Sequence, residues 1–311
     1  MDLHDPDQPV LITDLHDPDQ PVMIAGPAVA PDVAVVSLRR LHGRVDAAGE
    51  LARVRRSYRG PLLVEPFSAR DLPAVVTHAD GVVVGGAWMQ DFQLLRAVAR
   101  TGLPVVVQRA TAATLEEWLS AAEYCVAEGN RDVVLCETGT RTHLPHATID
   151  LELVREAGRR RPVFVDVSAA PDLAVAALSA GARGLFLGED AEPALVAEVR
   201  AKAALLGPLV RDDEPETIPD ARAAIDRIDA ALATLLERRA ELAATVQRLK
   251  PVGGFAGRDP RREREIVEAM ARRAPRLGED RLARIMAAVI EAGLEASEER
   301  DLRIQPLANR S

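Results

Sequence analysis

A chain of 311 residues, 48% hydrophobic and 28% charged, has room for about two globular domains and is too apolar for a disordered one. Its net charge of −9 and pI of about 5.3 exclude nucleic acid and anionic membrane as general partners, because phosphate surfaces require a positive counterpart. No secretory leader or membrane-spanning run is expected. Cys125 and Cys136 sit in apolar stretches without metal-site spacing, so buried thiols in a cytoplasmic protein are expected.

The chain opens on an identical duplication, DLHDPDQPV at Asp2–Val10 and again at Asp14–Val22. Two such short copies make no packed repeat, and residues 1–22 read as a solvated tail rather than a metal site built on His4 and His16. Short β-branched runs then alternate with helical segments. Strands are expected at Val22–Ala25, Val33–Leu38, Pro61–Val64, Gly81–Val84, Pro104–Val107, Asp132–Cys136, Pro162–Asp166 and Gly184–Leu187. Helices are expected at Ala48–Tyr58, Ala69–His78, Asp91–Arg100, Leu115–Glu128, Ile149–Arg160, Ala170–Ser179 and Pro193–Leu206. Near-continuous apolar strands separated by helices mean a buried parallel sheet. Eight of them favour an α/β fold of (β/α)8-barrel type over residues 23–208, ahead of a doubly wound sheet. One helix is missing, because Ala30–Pro31–Asp32 leaves almost no room between the first two strands.

Residues 209–220, containing RDDEPETIPD at Arg211–Asp220, are polar, acidic and proline-containing, and read as a linker. No strand pattern returns over 221–303. Ala221–Lys250 carries Ile225, Ile228, Leu232, Leu235, Leu236, Leu242, Val246 and Leu249 at helical spacing, and a helix of that length spans about 45 Å. Asp259–Pro260 is an N-cap with proline at the first helical position. It opens a second helix to about Arg273, and a third runs from about Glu279 to Arg300, before a tail at 304–311. The result is an all-α three-helix domain whose longest helix cannot cover its own apolar stripe, so a homodimer through that helix is expected. Arg222, Arg239, Lys250 and Arg262 recur here with no acidic residue expected on the same face to neutralise them, an arrangement suited to a small dianion. Arg239 and Lys250 share a face about 16 Å apart. Arg222 lies about 25 Å before Arg239, so a second chain must supply it if both serve one site.

From Arg222 to about Ser297 this region resembles the all-helical chorismate mutases. The resemblance implies that Arg239, and Arg222 of a partner chain, grip the two carboxylates of chorismate. It implies that Lys250 meets the ether oxygen and a carboxylate. The Asp259 amide and Glu263 would hold the ring hydroxyl, with Arg262 adding positive charge. That rearrangement has one substrate and needs no nucleophile, metal or cofactor. It needs a folded conformer held in place and charge on the ether oxygen stabilised. Two positions depart from the family pattern. Ser297 stands where the family places Gln or Glu against the ether oxygen, with Glu298 as a substitute, and Gly293 replaces a serine.

The stretch Ala79–Thr142, including ADGVVVGGAWMQDFQLL, LPVVVQRATAATLEEWLSAAEYCVAEGN and VVLCETGTRT, resembles the smaller type of DAHP synthase, which opens the shikimate pathway. MIAGP at Met23–Pro27 and VFVDVS at Val163–Ser168 are weaker echoes. At the positions that the resemblance assigns to metal ligands stand Ala28, Ala169 and Gly188, and the final Asp ligand has no match. The phosphate loop near Arg39–Gly43 is missing. Gln108, Ala87 and Thr138 replace cations, while Arg109 and Arg141 remain. His143 and His146 lie near the old site and read as loop residues. The expectation is a chorismate mutase fused to a DAHP synthase-like barrel that has lost its own reaction and serves as scaffold or regulator, with a shikimate-pathway enzyme as a possible partner. Two alternatives stand beside it. One is a mutase or lyase acting on aminodeoxychorismate or isochorismate. The other is a non-catalytic regulator binding a pathway metabolite or enzyme.

Overall fold

The computed structural model describes residues 22–143, 147–210, 215, 217–249 and 257–308, with side chains omitted at 209–210 and 298–308. The duplicated tail, His146, Lys250 and the side chain of Glu298 therefore lie outside the described residues. Two compact units divide at Arg227/Ile228.

The first unit is a closed parallel barrel in the order β1 to β8. Its strands are β1 Val22–Ala25, β2 Val33–Ser37, β3 Leu62–Glu65, β4 Gly81–Val84, β5 Val105–Gln108, β6 Val133–Glu137, β7 Val163–Asp166 and β8 Gly184–Gly188. Seven helices follow strands β2 to β8: α1 Ala47–Ser57, α2 Leu72–His78, α3 Phe92–Ala99, α4 Leu115–Ala127, α5 Leu151–Gly158, α6 Ala174–Ser179 and α7 Pro193–Val210. Asp46, Asp91 and Asp150 cap α1, α3 and α5, and Thr114 with Glu117 forms a capping box on α4. β1 starts at Val22, the residue at which the tail and the first expected strand overlapped above.

The missing helix has a geometric reason. β2 is displaced along β1, so that Ile24 faces Val33 and Ala25 faces Ala34. The chain therefore has little distance to return, and a 3-10 turn at Pro27–Val29 suffices. Ala30 ends that turn at φ 48°, a left-handed conformation that costs a residue with a Cβ roughly 1–2 kcal/mol.

Alternation along each strand divides the core in two. Val106, Val134, Cys136, Phe164 and Phe186 fill the barrel interior. Val105, Val107, Val133, Leu135 and Val163 face outward onto the helices. Gly184 is required by close approach, because a Cβ there would lie 2.7 Å from the Phe164 ring. Trp118 of α4 is fully buried and donates from Nε1 to the Val107 carbonyl at 2.9 Å.

The second unit holds the long helix α8 (Ile218–Leu249) from Ile228 onward, with α9 Pro260–Arg273 and α10 Glu279–Ala308. α9 and α10 pack on each other around Val267, Leu282 and Met286. The α8 stripe stays open, with Ile228, Leu232 and Leu235 54%, 49% and 52% exposed. No described helix is long and apolar enough to cross a membrane.

Candidate functional site

Within the helical unit, α8, α9 and α10 border an open cavity of about 300 Å³. Leu242 and Val246 of α8, Ile266 of α9, and Ile290 and Leu294 of α10 supply apolar walls. Arg239, Gln247, Arg258, Asp259, Arg262 and Glu263 supply the polar groups. Three guanidiniums against two carboxylates leave this lining net positive.

Each polar group is placed by local chain chemistry. Asp259 caps α9, its Oδ1 accepting from the amides of Arg261 and Arg262 at 3.0 and 3.1 Å. That cap starts the helix at Pro260 and sets Glu263 in its first turn, with its amide donating to the Asp259 carbonyl at 3.0 Å. Arg258, in the approach to the cap, grips Glu263 with both arms of its fork, Nε at 2.9 Å and Nη2 at 2.7 Å. This hydrogen-bonded pairing holds the Glu263 carboxyl below its ordinary range and raises Arg258. Arg239 is half-buried, and its one polar contact among the described residues is the Val289 carbonyl at 3.4 Å. Gly293 faces it from α10: a Cβ there would lie 3.8 Å from its Nη1, in ordinary contact.

Four residues singled out from the sequence, Arg239, Asp259, Arg262 and Glu263, thus line one cavity. Three others stand differently. Arg222 is exposed on α8 and is not among the lining residues. Lys250 falls outside the described residues. Ser297 is buried and lines another cavity with Glu237, Ala240, Glu241, Ala244 and Ala296. The rotation of α10 turns Ile290 and Leu294 to the cationic cavity instead. Arg262 is also less free of acids than its spacing implied, since Glu265 lies 3.6 Å away. Arg258 and Gln247 were missed. The adjacency of Arg258 to the Asp-Pro cap was the available signal for the first.

The barrel positions named above lie at the C-terminal ends of its strands, where (β/α)8 barrels carry their sites. Ala28 is in the turn after β1, Gln108 ends β5, Ala169 follows β7 and Gly188 ends β8 at φ 82°. Ala28, Ala169 and Gly188, the three at the expected metal-ligand positions, supply no carboxylate, thiolate or imidazole, so they do not fit a divalent cation. Among the described residues no three His, Cys, Asp or Glu side chains group as a metal set. Arg109 is fully buried and wholly engaged. It meets Glu137 at 2.5 and 2.7 Å, the Ala110 and Ala113 carbonyls at 3.1 and 2.9 Å, and Thr140 Oγ1 at 2.6 Å. A guanidinium has five donors, so none is left for a ligand.

Around β2 and β3 the mouth closes on itself. Ser37 donates its hydroxyl to Glu65 and its amide to Glu189, whose carboxyl burial pushes up. Arg39, lowered by burial, stacks over Trp88 at 4.0 Å and lies 3.3 Å from Glu65. His42 stacks on Phe67 with ring centres 3.5 Å apart. His143 is exposed.

Comparison with known proteins accords with both geometries. Residues 43–212 match the DAHP synthetase I family and residues 221–298 match chorismate mutase type II. A phospho-2-dehydro-3-deoxyheptonate aldolase of Thermotoga maritima is 32% identical over 143 residues, covering 42% of each chain. A 2-dehydro-3-deoxyphosphooctonate aldolase of Hahella chejuensis is 25% identical over 118 residues, covering 37% of this chain and 41% of the other. The chain thus spans less than half the length of these two relatives. A truncated 3-deoxy-D-arabino-heptulosonate 7-phosphate synthase of Thermotoga maritima superposes with a TM-score of 0.53 at 25% identity, covering 61% of this chain and 88% of that one. The chain belongs to the DAHP synthetase I family, and its barrel is fused to a C-terminal chorismate mutase type II domain.

Proposed function

We propose that the helical domain rearranges chorismate to prephenate in the cationic cavity, and that the barrel is a scaffold or regulator without DAHP synthase activity. The observation that carries the first part is the convergence of Arg239, Arg258 and Arg262 with Asp259 and Glu263 on one apolar-walled cavity. A dianion bound there would be held by guanidiniums, its ring against Val246, Ile266 and Ile290, its hydroxyl on the Asp259 amide and Glu263. The reaction needs no group transferred to or from the protein. Holding the compact conformer and stabilising charge on the ether oxygen account for the acceleration. In this reading Lys250 meets that oxygen and a dimer partner provides its Arg222. The exposed α8 stripe supports such a dimer. The replaced ligand positions and the engaged Arg109 support the silent barrel.

The test is loss of chorismate absorbance with purified protein and no added metal, beside Arg239→Ala and Lys250→Ala. Turnover lost by at least about a hundredfold in both variants is expected, since each removes charge aimed at the transition state. No turnover by the folded wild-type protein would sink the reading. A specific observation favours a second one: α10 offers the cavity Ile290 and Leu294 and no described polar side chain. A substrate related to chorismate, aminodeoxychorismate or isochorismate, would then be preferred, and competing turnover of the three compounds separates the cases.

A further inference from the structure

We propose that Arg258 is a positioning residue, which fixes the Glu263 carboxylate at the cavity wall in the orientation that receives the substrate's hydroxyl. The inference rests on the mutase reading and gives Arg258, so far counted only among the guanidiniums of the cavity, a distinct task. Its ground is geometric. Both residues line the same cavity, and the two arms of one guanidinium meet both oxygens of one carboxylate. A glutamate side chain otherwise rotates freely about three torsions. The fork, two donors in one plane, stops that rotation before a ligand arrives, which is pre-organisation.

The charges around Glu263 explain why such a clamp is needed. Asp259 lies one turn away on α9 and destabilises the Glu263 anion. Arg262 on the same helix leans toward Glu265. Arg239 and Gln247 face the cavity from α8, and Glu291 of α10 acts on Arg258 itself. A bound dianion would add like charge beside Glu263 and favour its protonation. A protonated carboxyl is a weaker acceptor for a hydroxyl. Arg258 opposes that protonation and offsets repulsion between Glu263 and the substrate's carboxylates. The depressed Glu263 pKa, caused first by the Arg258 hydrogen bonds, agrees.

The experiment measures kcat and KM for chorismate against pH in the full chain, for the wild type, Arg258→Gln and Arg258→Lys. Arg258→Gln is expected to move the acid limb of kcat/KM to higher pH and to raise KM about tenfold, with kcat changed less. Arg258→Lys keeps the charge without the fork, so it should restore the acid limb but not KM. A merely structural arginine would not separate the two effects. Wild-type limb and constants in Arg258→Gln would overturn the proposal. The same proteins, labelled with carbon-13 at the glutamate carboxyl and assigned with Glu263→Gln, are titrated by NMR without ligand. If the wild type does not consume chorismate, the mutase reading fails by itself. The titration then decides the clamp: a Glu263 signal raised in Arg258→Gln upholds it, and an unmoved signal overturns it. Should Arg258→Gln not fold, Arg258→Lys carries the comparison, with wild-type KM as the overturning result.

Discussion

Arg109 illustrates how a cation at the mouth of a barrel can be wholly taken up by its frame. Its side chain is 1% exposed and that of Glu137 fully buried. Replacing such a pair by apolar groups is often tolerated, but breaking it strands a charge. Arg109→Met is therefore expected to destabilise the barrel by about 3–5 kcal/mol, measured by chemical denaturation. The two thiols behave alike for another reason. Burial pushes Cys125 up to about 11 and raises Cys136 well above an ordinary thiol. Neither should react with an aromatic disulfide at pH 8 until the protein is unfolded. The sign of the linkage follows: both thiols stay protonated in the fold, so their contribution is complete below the unfolded thiol pKa of about 8.5. It declines as pH rises toward about 11, where Cys125 ionises in the fold. Urea midpoints at pH 8 and pH 10 should show a lower value at the higher pH.

Among the elements, α8 is the one whose surface demands company. A column of aliphatic side chains half open to water is favourable only when covered. Leu235→Lys is expected to leave the helical content intact and to convert the proposed dimer to a monomer, as read by light scattering. The elements themselves were legible because β-branched runs such as VVVQ and VVLCE lie between turn residues, and because Asp259–Pro260 marks a helix start. The missing helix was legible as a shortage of chain between Ala25 and Val33. What escaped was set by rotation and by contacts remote in sequence. Counting along α10 does not reveal that Ser297 turns away from Arg239 while Leu294 turns toward it. Nor does spacing disclose that Ser37 would bridge Glu65 and Glu189 across the barrel mouth.

For the whole molecule, the fit of the barrel to a metal can be tested without any assay of activity. A cation that binds only the folded state raises the melting temperature by mass action. With Ala28, Ala169 and Gly188 at the strand ends, millimolar manganese or zinc is expected to leave the barrel's transition unmoved, as read by calorimetry. The short crossing from β1 to β2 has a further consequence, in time rather than in shape. Those strands meet over two register pairs, Ile24 with Val33 and Ala25 with Ala34, as do β3 and β4, whereas β5 and β6 meet over four. A closed ring opens first where its edges share least. Amide hydrogens of Val33–Ala34 and of Gly81–Val82 should therefore exchange with deuterated water sooner than those of Val105–Gln108 and Val133–Cys136, making these two seams the places where the barrel comes apart and, on refolding, the last to close.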